Sequence, residues 1–230
     1  MRILIINPNS SASVTARIDA AAQLVRQPSE SITTIAARHA PELIVTPEDA
    51  RLAERAVTQA LAAWKQPVDG VILASFGDTG LDAVRAQISV PVVGIAQSAY
   101  AMASVLGPSM SIVSFSPAMA EALRKTAVGY GHAERLASMH MVEGASWNDP
   151  GAIQDLLMPQ LLALCQKSAR EDGVSSIVLG GGPLAGLAAR MQADVGVPLI
   201  DGTAAAIATL RVALATVPGA ELANHRSEHA

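Results

Sequence analysis

Two glycine-rich turns hold the residues best placed to do chemistry. Residues 74–80 read "ASFGDTG", after the apolar run "GVIL" and before the helix-like "LDAVRAQI". Residues 180–186 read "GGGPLAG", after "SIVL" and before "LAARMQ". Backbone N–H groups left free where a strand turns into a helix can bind a carboxylate or an enolate-like oxygen, and glycine lets the backbone approach such a ligand closely. Neither turn continues into the Gly-Lys-Ser/Thr of a phosphate loop, and neither has the spacing of a dinucleotide fingerprint. One such turn alone reads as ordinary strand-to-helix punctuation, but a matched pair points to a site. Ser75 is the first polar side chain of the first turn, followed by Phe76, Gly77, Asp78 and Thr79; Gly181, Gly182 and Pro183 form the second. Asp78 falls in the first turn of its helix, where it either complements the helix dipole or contacts a ligand.

Further candidates lie at the ends of other apolar runs. "RILIIN" leads into "NPNSS", where Asn7 and Asn9 can cap the next helix and Asn9 and Ser10 can contact a ligand. "MSIVSF" carries Ser114 and leads to Ser116. The loop with His39 and Pro41 can reach the same end of the strands, and Asp201 ends the last apolar run as a polar contact or a simple turn. No pair of the five histidines has metal-ligand spacing with a third ligand nearby, so no metal site is expected. His140 sits in a predicted strand and reads as structural, while His225 and His229 lie in a polar tail expected to fray. Cys165, the one cysteine, falls in the apolar pattern of a helix and reads as a buried, inert thiol.

The elements that must position these residues alternate between strand and helix along the whole chain, which implies parallel sheets with right-handed crossovers. Thr46, Pro47 and two acids open one helix with a clear N-terminal signature. Pro159 falls inside a long helical pattern over 151–170 and should kink or split it. The chain is also internally duplicated. "DGVILASFGDTGLDAVRAQISVPVVGI" aligns with "SSIVLGGGPLAGLAARMQADVGVPLIDG", which sets Ser75 opposite Gly181; "ILIINPNS" aligns with "SIVSFSP", which sets Asn9 opposite Ser116. The expected fold is α/β: two pseudo-symmetric parallel-sheet lobes, with an active-site cleft between them beyond the carboxyl ends of the strands. Residues 1–98 plus about 206–230 make the first lobe and residues 99–205 the second.

Composition narrows the function. Half of the 230 residues are hydrophobic and only 3% are aromatic, which suits buried parallel strands under Ala-rich helices. Net charge is −4 with no basic cluster, which argues against nucleic acid and anionic membranes as partners. No apolar run is long enough to span a bilayer, no signal peptide is evident, and a single cysteine allows no internal disulfide. A cytoplasmic location is expected.

"RILIINPNSSASVT", "ILASFGDTGLDAVR", "PVVGIAQSA", "VLGGGPLAGLA" and "PLIDGTAAA" together resemble the aspartate/glutamate/hydantoin racemase superfamily, most closely its hydantoin and allantoin branch, from residue 2 to about 215. The resemblance implies two pseudo-symmetric lobes, a cleft between them, no cofactor, and a small-molecule carboxylate or imide substrate. It also implies a homo-oligomer. It further implies two cysteines that flank the substrate α-carbon, one removing a proton as the other returns one to the opposite face. Ser75 and Gly181 stand at those two positions. A serine hydroxyl needs an adjacent base to remove a proton, and glycine offers neither acid nor base. Three readings follow: a racemase-type isomerase with altered machinery, a cofactor-free decarboxylase, lyase or hydrolase in the same cleft, or a non-catalytic protein that binds small anions.

Overall fold

The computed structural model describes residues 1–216; the polar tail with His225 and His229 lies outside the described residues. Eight strands form two four-stranded parallel sheets. The first holds β1 (Arg2–Asn7), β2 (Ser31–Ala36), β3 (Gly70–Leu73) and β4 (Val92–Gly94), in the order β2-β1-β3-β4. The second holds β5 (Met110–Ser114), β6 (Leu136–Met141), β7 (Ser176–Gly180) and β8 (Leu199–Asp201), in the matching order β6-β5-β7-β8. The crossovers are α1 (Ala12–Val25), α2 (Pro47–Ala63) and α3 (Leu81–Arg85) in the first half, and α5 (Ala120–Gly129), α6 (Ile153–Glu171) and α7 (Leu187–Met191) in the second. α4 (Ile95–Leu106) links the sheets, and α8 (Gly202–Thr216) follows β8. The expected α/β fold of two similar lobes is the observed one. Among the described residues, no helix is long and apolar enough to cross a membrane.

The central strands are buried on both faces, as parallel strands under two helical layers must be. Side chains on one face of both sheets join a single core: Ile3, Ile5 and Ile72 from the first, Met110, Ile112 and Val178 from the second. α1, α4 and α8 fill the space between them with Val14, Ile18, Tyr100, Ile207 and Leu210. The opposite faces feed separate outer cores. Leu4, Ile6, Val71 and Leu73 pack under α2 and α3, while Val113, Ile177 and Leu179 pack under α6 and α7. The two linking helices are exchanged: α4, which follows the first sheet, packs on β7 and β8 as well as β4, and α8, which follows the second sheet, packs on β3, β4 and α1. Arg211 of α8 fixes that exchange by pairing with the buried Glu30 and donating to the Val25 carbonyl.

Local signals explain most helix starts. Thr46 forms a full capping box with Asp49 ahead of Pro47. α1 begins at Ala12 with Ser11 as its cap, so neither Asn7 nor Asn9 caps it. Pro159 does not split α6, which runs unbroken from Ile153 to Glu171. The proline is exposed on the solvent side, so water can serve the carbonyl one turn back that its missing N–H leaves free.

Candidate active site between the two turns

The turn after β3 is built around Asp78. Its backbone has φ 44°, the only positive φ outside glycine among the described residues. Its N–H donates to the Ser75 carbonyl at 3.0 Å, and the Thr79 N–H donates to Ser75 Oγ at 3.2 Å. The Asp78 carboxylate accepts from the Ala96 and Gln97 N–H groups at 3.0 and 2.8 Å, capping α4, and from the Tyr130 hydroxyl of the second lobe at 2.7 Å. Only glycine at position 94 leaves room, because a Cβ there would overlap the carboxylate. Burial pushes the Asp78 carboxyl upward, against the pull of those hydrogen bonds, and pushes the Tyr130 phenol upward as well. Asp78 thus lies ahead of α3, whose cap is Gly80, and not in that helix's first turn as the sequence suggested; its carboxylate is engaged by protein partners and caps α4 instead.

The second turn achieves the same tie from the other end. Gly80 and Gly186 are equivalent in the duplication, and both have φ 83° immediately before a short helix. Where the first lobe has Gly94 at the strand end, the second has Asp201, whose carboxylate accepts from the Gly186 N–H at 2.5 Å and the Ala204 N–H at 2.9 Å. Each lobe thus uses one buried carboxylate to bind its turn to the start of the following helix. The first lobe supplies it from the turn and the second from the strand. Burial raises the Asp201 carboxyl too.

The two turns meet. A Cβ on Gly182 would lie 3.3 Å from the Ala74 carbonyl oxygen, and Phe76 reaches across to Gly202 of the second lobe. Ser75 is partly exposed and Gly77 exposed, whereas Gly181, Gly182 and Pro183 are buried. Gly181 has φ 140°, and a Cβ on it would lie 2.5 Å from the Phe115 ring. Among the described residues, the N–H groups of Phe76, Gly77 and Gly182 have no hydrogen-bond partner, so both turns offer donors.

The remaining candidates surround these turns. Asn9 is buried; its Oδ1 accepts from the Ser11 N–H and from Asn7 Nδ2, which leaves its own amide N–H groups to face other partners. The Ser10 N–H donates to the Pro41 carbonyl at 3.0 Å, which brings the 38–45 loop over the strand ends. Ser114 is committed to the Gly180 carbonyl at 2.5 Å, and Ser116 caps the following turn through the Ala118 N–H. Thr79 is buried beside Ser75. His39 is exposed, and His140 pairs with Asp172 on the far edge of the second sheet. Cys165 is fully buried in the outer core, which pushes its thiol up to about 12. No group of side chains among the described residues is arranged to hold a metal ion. The sequence did not reveal Phe115, Trp147 or Tyr130 as parts of this region; their apolar or helical settings read as ordinary core.

Comparison with known proteins agrees with this architecture. The chain is 35% identical over 212 residues to a hydantoin racemase of Paenarthrobacter aurescens, covering 90% of this chain and 88% of that protein. Its structure superposes on allantoin racemase from Klebsiella pneumoniae with a TM-score of 0.86 at 33% identity, covering 94% of this chain and 88% of that one. Arylmalonate decarboxylase shares the fold alone, with a TM-score of 0.67 at 17% identity over 96% of this chain and 97% of that one. Residues 3–210 match the family described as Asp/Glu/hydantoin racemase, and with both lobes and both turns inside that span, the chain belongs to this family.

Proposed function

We propose that the cleft between the two turns binds a hydantoin-like or amino-acid-like carbon acid and stabilises the enolate formed when a bond to its α-carbon breaks, without a cofactor. The observation that carries this reading is the pairing of two turns, one from each lobe, whose free N–H groups at Phe76, Gly77 and Gly182 supply donors for an anionic oxygen. The family relationship and the names of the relatives support the substrate class. Asn9 and Ser10, tied to Pro41, complete the first lobe's side as substrate contacts, with Ser116 at the equivalent place in the second. Asp78 holds the first turn in shape.

The proton chemistry is altered from the two-thiol scheme, because Ser75 and Gly181 stand at the positions where the resemblance places cysteines. The one hydrogen bond made by Ser75 Oγ among the described residues is with the Thr79 N–H, so no base adjoins it. A hydroxyl in that setting can donate a proton to a carbanion but cannot readily remove one. That observation favours a second reading, decarboxylation, in which carbon dioxide leaves with its bond electrons left on the α-carbon and one donor then protonates the resulting enolate.

Calorimetry with hydantoins, allantoin and short amino acids tests the site. Binding of at least one is expected, and Gly77→Trp, which fills the exposed mouth of the first turn, should abolish it. Unchanged binding in a folded Gly77→Trp protein would show that the ligand sits elsewhere.

A further inference from the structure

Phe115 follows β5 and is 1% exposed. Its ring stands edge-on to Trp147, with centroids 5.4 Å apart and planes at 81°. Trp147 comes from the 142–149 loop, and Leu43 from the 38–45 loop of the first lobe packs on the same cluster. Pro41 of that loop is tied to Ser10, and Asp149 at the end of the other loop is hydrogen-bonded to Ser13 of α1. Two loops, one from each lobe, therefore pack on the outer core that holds this aromatic pair. The ring fills the space into which any side chain at position 181 would project, since a Cβ there would lie 2.5 Å from Cε1 and 3.2 Å from Cδ1. The clash is with the body of a buried ring rather than the tip of a flexible chain, so the ring cannot step aside without disturbing the cluster.

We infer that Phe115, backed by Trp147, is the specificity-determining residue that makes this cleft one-faced. It occupies the space that a side chain at position 181 would need, so the second turn can offer backbone donors but no proton-handling side chain. This rests on the carbon-acid reading above and deepens it. A racemising cleft needs a proton carrier on each face of the α-carbon, and Phe115 excludes one of them whatever residue occupies position 181. A carbanion formed here gains its proton on one face only, and a product that becomes chiral at that carbon forms as one hand.

Two measurements test the inference separately from the function. The first is thermal unfolding of Gly181→Ala, Phe115→Ala and the pair. Gly181→Ala should lower the melting temperature much more in the presence of Phe115 than in its absence, because only the backbone strain at φ 140° persists once the ring is gone. Equal losses in both backgrounds would overturn the inference. The second follows 5-substituted hydantoins in deuterium oxide with Ser75→Cys, Ser75→Cys/Gly181→Cys, and the latter combined with Phe115→Ala. The thiolate introduced at position 75 takes the α-proton, the electron pair passes into the imide carbonyl, and a deuteron returns to the same carbon. The single variant should exchange one enantiomer without inversion, and only the triple variant should invert it. Inversion by the double variant as fast as by the triple would also overturn the inference. Coupled melting with no exchange in any folded variant would instead overturn the carbon-acid function.

Discussion

At the residue scale, the two carboxylates that hold the turns do equivalent work from opposite ends. Asp78 reaches from the turn to α4, and Asp201 reaches from the strand to its turn and to α8. The sequence shows both as acids beside glycine turns, which is enough to place them at the strand ends. It cannot show that Asp78 is saturated by Ala96, Gln97 and Tyr130, because those partners come from a helix and a second lobe that only folding brings near. Phe115 was hidden for the same reason: its neighbour Gly181 is distant in the chain, and an apolar residue after a strand has no local mark of function. Removal of the Asp78 side chain should be costly. It strips α4 of its cap, worth about 1 kcal/mol, and takes the partner of the half-buried Tyr130 hydroxyl, for about 1 kcal/mol more. Asp78→Ala should therefore lose about 2 kcal/mol in urea unfolding, and Tyr130→Phe, which removes one of the bonds and leaves the cap, about 1 kcal/mol. Equal losses in the two variants would mean that the cap contributes nothing.

At the element scale, the strands and most helix starts were legible because their signals are local. Short continuous apolar runs, Thr46 before Pro47 and glycine after an apolar run all act within a few residues. Pro159 does not split α6, because it faces solvent, where water can serve the carbonyl its missing N–H leaves free. The edge strand β6 illustrates a link that no local pattern shows. Asp172, just past the end of α6, accepts from Ser138 and His140 of β6 at 2.6 and 2.7 Å, and Ser138 also bonds Ser111 of β5. Burial alone would raise the Asp172 carboxyl, but the hydrogen bonds from Ser138 and His140 hold it down at about 2, against an ordinary 3.8. A carboxyl depressed by folding adds stability above its unfolded value, and that stability is lost as pH falls through the folded value. The contribution of Asp172 should be in full force above about pH 4 and disappear between about pH 4 and pH 2, at roughly 2 kcal/mol. Asp172→Asn should be less stable than the parent by about that amount near neutrality, with the gap closing towards pH 2. A gap of constant size across that range would show that the depressed carboxyl is not its source.

At the scale of the whole molecule, the duplication was legible, and the lobe bounds read from it already passed the last helix to the first lobe and the linking helix to the second; what the sequence could not show is the core that the two helices share. Repeated runs such as "GVIL" and "SIVL" mark two similar sheets. An apolar helix pattern, however, says only that a helix is buried, never that it serves both sheets. In the structure, α4 and α8 lie between the lobes, and one continuous core joins both sheets through them. Neither lobe can then keep its inner face dry without the other, so the two should unfold in a single transition. The two tryptophans provide a direct check, since Trp64 ends α2 in the first lobe and Trp147 sits in the second lobe's loop. Trp147→Phe leaves fluorescence that reports on the first lobe, and Trp64→Phe leaves fluorescence that reports on the second. For each variant, the urea midpoint from fluorescence should coincide with the midpoint from circular dichroism. Arg211→Ala then probes the exchange itself. It leaves the Glu30 carboxylate, whose side chain is 2% exposed, without its cation, and breaking a buried pair in this way costs about 3–5 kcal/mol. Arg211 is itself 25% exposed, so the lower end of that range is expected. The loss should shift both tryptophan signals together, although the Arg211 bonds tie α8 to Glu30 and to Val25 of α1 in the first lobe. If only the Trp64 signal moves, the shared core does not couple the lobes, and each must be treated as a folding unit of its own.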